Sequence, residues 1–375
     1  MIYLDYAANT PVNPKVLKVF NDATLTYFGN PNSLHKNGNE AKRKIDESSQ
    51  IIADYFHTKK ENIIYTSGSS ESNNLIIKGI ADRYKNKGKH IIISAIEHSS
   101  IIAPCNYLAS NGYEITVIPL LSNGEIDIDS LKKALRKDTI LVSVSTVDPE
   151  LGTIEPIQEI AKILKDYPNA YFHTDATGAI GKINISYDGV DFLTFAPHKF
   201  YGLNGIGVLI NFNDIKITPL IHGGKSTTIY RGGTPVETDG FTSQATGKDT
   251  ALQEATKKLD DNIKYISNLK NELINKLKEI KKIHINTPTN SIPNIVNFSL
   301  NNADEIVKKL SDKKIYVSTK TACSSKNAPS KSVLAVTKDL NLAKNSIRVS
   351  LSHLTTKEEI DIFLKELTEV INENN

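Results

Sequence analysis

The sequence predicts an α/β protein, with a large domain built on a mostly parallel seven-stranded sheet flanked by helices and a small α/β domain at the C-terminal end. Three observations carry this. Short β-branched runs alternate with helical patterns from about Tyr65 to Phe212; a charged helical stretch follows, from Asp239 to about Lys282; a second, shorter set of strands and helices begins at Ile283. Alternation of strand and helix marks βαβ units, because a parallel crossover needs a helix to bring the chain back to the same end of the sheet.

The strands are expected at Asn62-Ile-Ile-Tyr, His90-Ile-Ile-Ile-Ser, Tyr113-Glu-Ile-Thr-Val-Ile, Thr139-Ile-Leu-Val-Ser-Val, Ala170-Tyr-Phe-His-Thr, Phe192-Leu-Thr-Phe and Gly207-Val-Leu-Ile. Ligands on such sheets lie beyond the carboxyl ends of the strands, so the loops after these runs are where chemistry is expected. The run that includes Asp249-Thr-Ala-Leu-Gln-Glu-Ala carries apolar residues at helical spacing and predicts one long connecting helix. Past it, Ile295-Val-Asn-Phe-Ser-Leu and Ser346-Ile-Arg-Val-Ser-Leu predict strands, with helices over 304–311 and 356–372. The expected domains are 15–255, the large one, and 256–375, the small one, with residues 1–14 packing on the latter.

The 375 residues carry 45 basic and 42 acidic side chains, a net charge of +3, so no field suited to nucleic acid is expected. Two cysteines, Cys105 and Cys323, cannot build a disulfide framework, and the opening Met1-Ile-Tyr-Leu-Asp-Tyr lacks the features of a signal peptide. A reducing cytoplasm is the expected compartment. No stretch approaches the roughly 18 to 20 apolar residues that cross a bilayer, and no metal site is expected.

Several groups could carry chemistry. Ser67-Gly-Ser-Ser-Glu-Ser-Asn-Asn follows a strand and opens a helix, which offers free N–H groups and a favourable dipole to a phosphate; taken alone, the motif is more simply a capped helix. Asp175 and Lys199 end two strands and can face one crevice. A pyridine cofactor needs such a pair, the carboxylate to keep its ring nitrogen protonated and the amine to form a Schiff base, although each residue alone also fits a turn or a surface charge. His98 emerges above the same edge and could stack on a ring, or simply cap a helix. Arg348, within an alternating strand, could clamp a carboxylate with its fixed fork or sit in a structural ion pair. Cys323 lies in a polar, small-residue stretch with Lys320 and Lys326 nearby to favour a thiolate. Cys105, among apolar residues at helical spacing, is expected to be buried and inert.

Taken together and in register, these segments resemble the cysteine desulfurases of the class V aminotransferase family, fold-type I pyridoxal-phosphate enzymes. The strings are Tyr3-Leu-Asp-Tyr-Ala-Ala-Asn-Thr-Pro, Phe28-Gly-Asn-Pro-Asn-Ser, Ser70-Glu-Ser-Asn-Asn, Glu97-His, His173-Thr-Asp-Ala, His198-Lys199, Arg231-Gly-Gly-Thr-Pro, Ala322-Cys323 and Ser346-Ile-Arg. The resemblance implies that Lys199 holds pyridoxal 5'-phosphate, Asp175 pairs with its ring nitrogen and His98 stacks on the ring. It implies phosphate contacts from Ser69, Ser70 and His198, with Thr234 contributed across a homodimer. Arg348, helped by Asn30, would hold the carboxylate of L-cysteine, and Cys323 would take its sulfur as a persulfide for a protein acceptor such as an iron-sulfur scaffold or a thiolation enzyme.

The chain departs from the family pattern around the cofactor's phenolic oxygen. Asp148-Pro149-Glu150 replaces an Asn-Asn-Glu string, Gly178 replaces a Gln, Ala196 a Ser, and Ser226-Thr227 a Gln-Glu pair. Proline cannot donate, so that oxygen is left to water, Thr177 or another group. Two other readings therefore remain open: another class V pyridoxal enzyme, such as a selenocysteine lyase, a sulfur-compound lyase or an aminotransferase-like enzyme, and a divergent binding or regulatory paralogue.

Overall fold

The computed structural model describes residues 1–224, 228–233, 241–319 and 328–373, without the side chains of 241–245 and 247–249. After a short N-terminal strand, β1 (Ile2–Tyr3), the chain lays down β2 (Ile63–Thr66), β3 (His90–Ser94), β4 (Glu114–Ile118), β5 (Thr139–Ser143), β6 (Tyr171–Asp175), β7 (Phe192–Phe195) and β8 (Gly207–Asn211). These last seven form one sheet in the order β2-β8-β7-β6-β5-β3-β4. Only β8 runs against its neighbours; the pairs β3–β4, β3–β5, β5–β6 and β6–β7 are parallel. This is the mostly parallel, seven-stranded α/β sheet that the alternating pattern predicts.

Continuous apolar runs suit such a sheet because helices cover both of its faces. Ile91, Ile92 and Ile93 are no more than 3% exposed, and Ile91 and Ile93 pack in one cluster with Ile76 and Ile80 while Ile92 packs in another with Ile157 and Ile160. Burying each such side chain contributes about 1.5–3 kcal/mol. The chain leaves β3 for β4 on one side and returns to β5 on the other, so the sheet reverses direction between β3 and β5. That reversal opens a crevice at the carboxyl ends of the strands.

The second layer contains β9 (His284–Ile285), β10 (Ile295–Ser299) and β12 (Ser346–Ser350) in an antiparallel sheet, while β11 (Ile315–Tyr316) pairs with β1. Its core joins Ile2 and Leu4 to Leu273, Phe298, Ile347 and Phe363. The single connecting helix expected from the sequence is two helices, Phe241–Thr256 and Leu259–Lys278, broken at Lys257 and Lys258. The break has a tertiary cause. Ala251, Leu252 and Ala255 pack into the core beneath the large sheet, whereas Ile266, Leu269 and Leu273 pack into the C-terminal core, and one straight axis cannot serve both. Among the described residues, no helix is long and apolar enough to cross a membrane.

Candidate active site at the sheet's switch point

The helix Ser69–Tyr84 starts directly after β2, and its first residues face the crevice with no side chain capping them. The preceding turn is held from behind: Thr66 Oγ1 donates to the Gly68 carbonyl at 2.9 Å, and Gly207 of β8 presses so close that a Cβ there would lie 2.3 Å from the Gly68 carbonyl carbon. On the other side Gly68 is open, with nothing within 4 Å of where its Cβ would stand. Uncapped N–H groups at Ser69 and Ser70 beside open space make a place for a phosphate. Glu71 closes the turn, accepting from Ser67 N at 2.8 Å and from Arg231 Nε at 2.6 Å. Burial pushes its carboxyl up, but these hydrogen bonds outweigh it and leave the group below the ordinary range.

Asp175 ends β6, and Thr194, opposite it on β7, leads through Ala196 and Pro197 to His198 and Lys199. The two residues therefore emerge from adjacent strand ends. Asp175 is 7% exposed; its Oδ1 accepts from Thr177 N at 2.9 Å and its Oδ2 from Asn73 Nδ2 at 2.8 Å. Asn73 Nδ2 also donates to Ser100 Oγ at 2.9 Å, and Ser100 Oγ shares a 2.8 Å hydrogen bond with His98 Nδ1. A single chain of contacts thus runs from His98, the N-cap of the helix Ser99–Ala109, to Asp175. Nothing in the sequence singles out Asn73 or Ser100. Asn73 does stand in the Ser70-Glu-Ser-Asn-Asn string, one helical turn from Ser69, but only the fold brings it 2.8 Å from a residue 102 positions away.

Beneath this chain lies Glu97, which bridges β3 to the loop after β5 by accepting from Ser94 Oγ at 2.6 Å and from Ser145 N and Oγ at 2.8 and 2.6 Å. Burial pushes its carboxyl up to about 7. His173 of β6 is fully buried between Ser143 and Thr194, and burial holds its imidazole down to about 4.

Lys199 Nζ donates to the carbonyls of Ala7 and Ala8 at 3.0 and 2.5 Å. Together with Lys182, Tyr6 and His353 it lines a cavity of about 20 Å³, room for roughly one water. Burial, then the charges of Lys199 and Arg348, pull the Lys182 amine down to about 7. Burial and the same two lysines hold the His198 imidazole near 4, so it is neutral at neutral pH, and its backbone carbonyl accepts from Thr10 N and Oγ1.

Arg348 lies on β12, 2% exposed, with Nη2 2.8 Å from Asp5 Oδ1 and Nη1 3.0 Å from the Pro149 carbonyl. Its buried Nε has no partner among the described residues. Asn30 is exposed, accepts from Asn32 N within its own turn, and makes no hydrogen bond with Arg348. Cys105 is buried, and burial pushes its thiol up to about 12. Thr234 and Cys323, with Lys320, Lys326, Ser226 and Thr227, lie outside the described residues.

A parallel sheet with a phosphate-sized turn, a strand-end carboxylate and a strand-end lysine defines a class of protein, and the comparisons agree: this chain belongs to the aminotransferase class-V family, whose profile matches residues 2–363. Members of that family depend on pyridoxal phosphate. Within it, the chain is 41% identical over 377 residues to the cysteine desulfurase IscS of Dictyoglomus turgidum, covering 99% of this chain and 94% of that protein. It is 36% identical over 376 residues to the cysteine desulfurase IscS of Methanosarcina thermophila, covering 99% and 92%. Among solved structures, a NifS-like protein superposes with a TM-score of 0.92 at 31% identity over 99% of both chains, and SspA in complex with cysteine with a TM-score of 0.80 at 30% identity over 95% of this chain and 100% of that one.

The residues present fit the family's cofactor. The open, uncapped turn at Gly68 offers backbone donors to its phosphate, and the Asp175 carboxylate already has a donor on each oxygen and keeps lone pairs for a ring N–H. Beside it, the buried Thr177 Oγ1 and Asn73 Oδ1 have no hydrogen-bond partner among the described residues. An unsatisfied hydroxyl at Thr177 matters because neither Pro149 nor Gly178 can supply a side-chain donor to the phenolic oxygen.

Proposed function

We propose that this chain is a cysteine desulfurase: it converts L-cysteine to L-alanine and takes the sulfur as a persulfide on Cys323. The observation that carries the reading is the placement of Asp175 and Lys199 at adjacent strand ends, with Asp175 tied through Asn73 and Ser100 to His98. Pyridoxal phosphate, when bound, supplies an aldehyde that joins an amine and a protonated ring that withdraws electrons from the substrate carbon.

The chain's own residues do the rest. Ser69 and Ser70 hold the phosphate with backbone N–H groups, and His198, held neutral, adds to that site without bringing a charge. Asp175 keeps the proton on the ring nitrogen, while Asn73 keeps Asp175 pointed at it. His98 is fixed by its cap on Ser100 N and covers the ring face. Lys199 would supply the amine that holds the cofactor and would serve as the base for the proton on the substrate α-carbon. Arg348 uses one N–H of Nη2 on Asp5 and one of Nη1 on Pro149, so each Nη keeps a second N–H for the substrate carboxylate. The Cys323 thiolate attacks the substrate sulfur; the new S–S bond forms as the Cβ–Sγ bond breaks, its electron pair stays with the carbon skeleton, and protonation yields alanine. Thr234 is assigned to the phosphate of a partner subunit, and the persulfide to a protein acceptor.

An absorption spectrum of the purified holoenzyme before and after L-cysteine tests this. The visible band should be absent from Lys199→Ala and should change with L-cysteine, and Cys323→Ala should abolish persulfide. Sulfur release from Cys323→Ala at the wild-type rate would favour a lyase that needs no protein thiol.

A further inference from the structure

Lys199 sits in a single 3₁₀ turn, Pro197–Lys199, that no side chain caps. So short a turn leaves backbone groups on either side of the lysine to be satisfied from elsewhere. One residue of the N-terminal stretch serves both sides. Thr10 Oγ1 donates to the His198 carbonyl at 2.9 Å and accepts from Tyr201 N at 2.7 Å, and Thr10 N donates to the same carbonyl at 3.1 Å. Asn13 N adds a 2.9 Å hydrogen bond to the Tyr201 carbonyl. Thr10 is 4% exposed, so water does not replace these contacts. Tyr201 needs the hold: its φ of +67° lies in the left-handed region, which a bulky residue keeps only where its surroundings enforce it.

The same stretch reaches the lysine amine and the C-terminal layer. The carbonyls of Ala7 and Ala8 accept from Lys199 Nζ, Ala7 N donates to Ser350 Oγ at 2.9 Å, and Ser350 N donates to the Leu4 carbonyl at 2.7 Å. Residues 4–10 are therefore pinned at one end to β12, which carries Arg348, and at the other to the turn that carries Lys199.

We infer that Thr10 is a positioning residue for Lys199: its hydroxyl spans the backbone on both sides of the lysine and fixes the stem from which the amine works. The inference rests on the role proposed above for Lys199. Only a hydroxyl can do this with one atom, because it donates and accepts at once. Without it Tyr201 can leave the left-handed region, and the turn rotates and carries the lysine stem with it. A displacement of about 1 Å at a reacting group can cost roughly a hundredfold in rate.

Thr10→Val keeps the shape and removes the hydroxyl, Thr10→Ala removes it without bulk, and Thr10→Ser keeps it. Three properties of the full chain are measured: hydrogen exchange at the Tyr201 amide, the rate at which pyridoxal phosphate joins Lys199, read from its visible band, and kcat and KM for L-cysteine. In both variants without the hydroxyl, exchange at Tyr201 should quicken about tenfold or more and loading should slow about tenfold. Their kcat should fall about ten- to hundredfold while KM stays within about twofold, because Arg348 and Asp5 are untouched. Thr10→Ser should stay within about threefold of wild type in all of these. Wild-type loading and kcat in Thr10→Val or Thr10→Ala, or a Thr10→Ser protein as impaired as they are, would overturn the inference. A wild type that loads on Lys199 with this dependence on Thr10, yet forms no alanine, would overturn the desulfurase reading and support the role of Thr10.

Discussion

The two loops that flank the crevice have been put to opposite uses. The loop after β3, Glu97-His98, and the helix Ser69–Tyr84 lie on the crevice side: His98, Ser100 and Asn73 form one chain of contacts ending on Asp175. The loop after β5, where the family carries its phenolic-oxygen donor, has Pro149 instead and faces away from that task. Its Asp148 and Glu150 are 1% and 7% exposed, and both reach Ser332 and Ser330 beyond the Cys323 segment. The difference teaches that a loop without a side-chain donor at Pro149 can still serve the fold, since its backbone carbonyl holds Arg348 and its two acids hold Ser330 and Ser332.

The largest effect that would test the cofactor side is on Asp175. Asp175→Ala removes the charge proposed to keep the ring nitrogen protonated, and desulfurase turnover should fall about a thousandfold, measured as alanine formed from L-cysteine. A fall of less than tenfold would mean that the chain of contacts from His98 ends on nothing catalytic.

Glu97 gives the pH test, since it props the cofactor side from below. Its carboxyl is raised in the folded protein to about 7, so the fold binds the neutral form. Stability from this group is present below the unfolded pKa near 4.3 and is lost as pH rises through about 7. Glu97→Gln should abolish that loss, gaining up to about 3 kcal/mol relative to wild type between pH 5 and pH 8 in urea melts. Buried His173 works in the other direction: held near 4, it favours the fold when neutral and costs stability as pH falls from about 6.5 toward 4. Melts of wild type and variant should therefore converge at low pH and part at high pH.

Asn73→Ala is next in size. It strips one donor from Asp175 and leaves that carboxylate oxygen unsatisfied, which should cost about 1–3 kcal/mol in melts and weaken cofactor binding, followed by its absorbance on dialysis. On the other loop, Pro149→Asn is the mildest change. Asp148 Oδ1 still holds the turn through the N–H groups of Glu150 and Leu151, so only the chain stiffness of proline is lost, about 0.4–1 kcal/mol. A rise in cofactor affinity in the same variant would mean that the asparagine side chain regains the phenolic oxygen.

Much of the fold was legible in the sequence, since βαβ alternation is a local pattern and each buried parallel strand reads as an apolar run. The connecting helix was misjudged because its break depends on which core each half packs against. For the site, Lys199, Asp175 and Arg348 stand in strings distinctive enough to single out. Asn73 and Asp5 stand in the same strings, yet nothing local distinguishes a cap or a turn residue from one that orients a carboxylate 102 positions away.

What the sequence determined by itself is the set of elements and the chemical inventory: strand and helix by hydrophobic period, a lysine and an acid at strand ends, and a thiol in a polar stretch. Which of these groups meet was decided only by the tertiary structure. Hydrogen bonds such as Asp5 to Ser318 and Asp148 to Ser332 join residues 313 and 184 positions apart. They form because the sheet's reversal and the docking of the C-terminal layer bring the loops to one crevice, where buried polar groups must find partners.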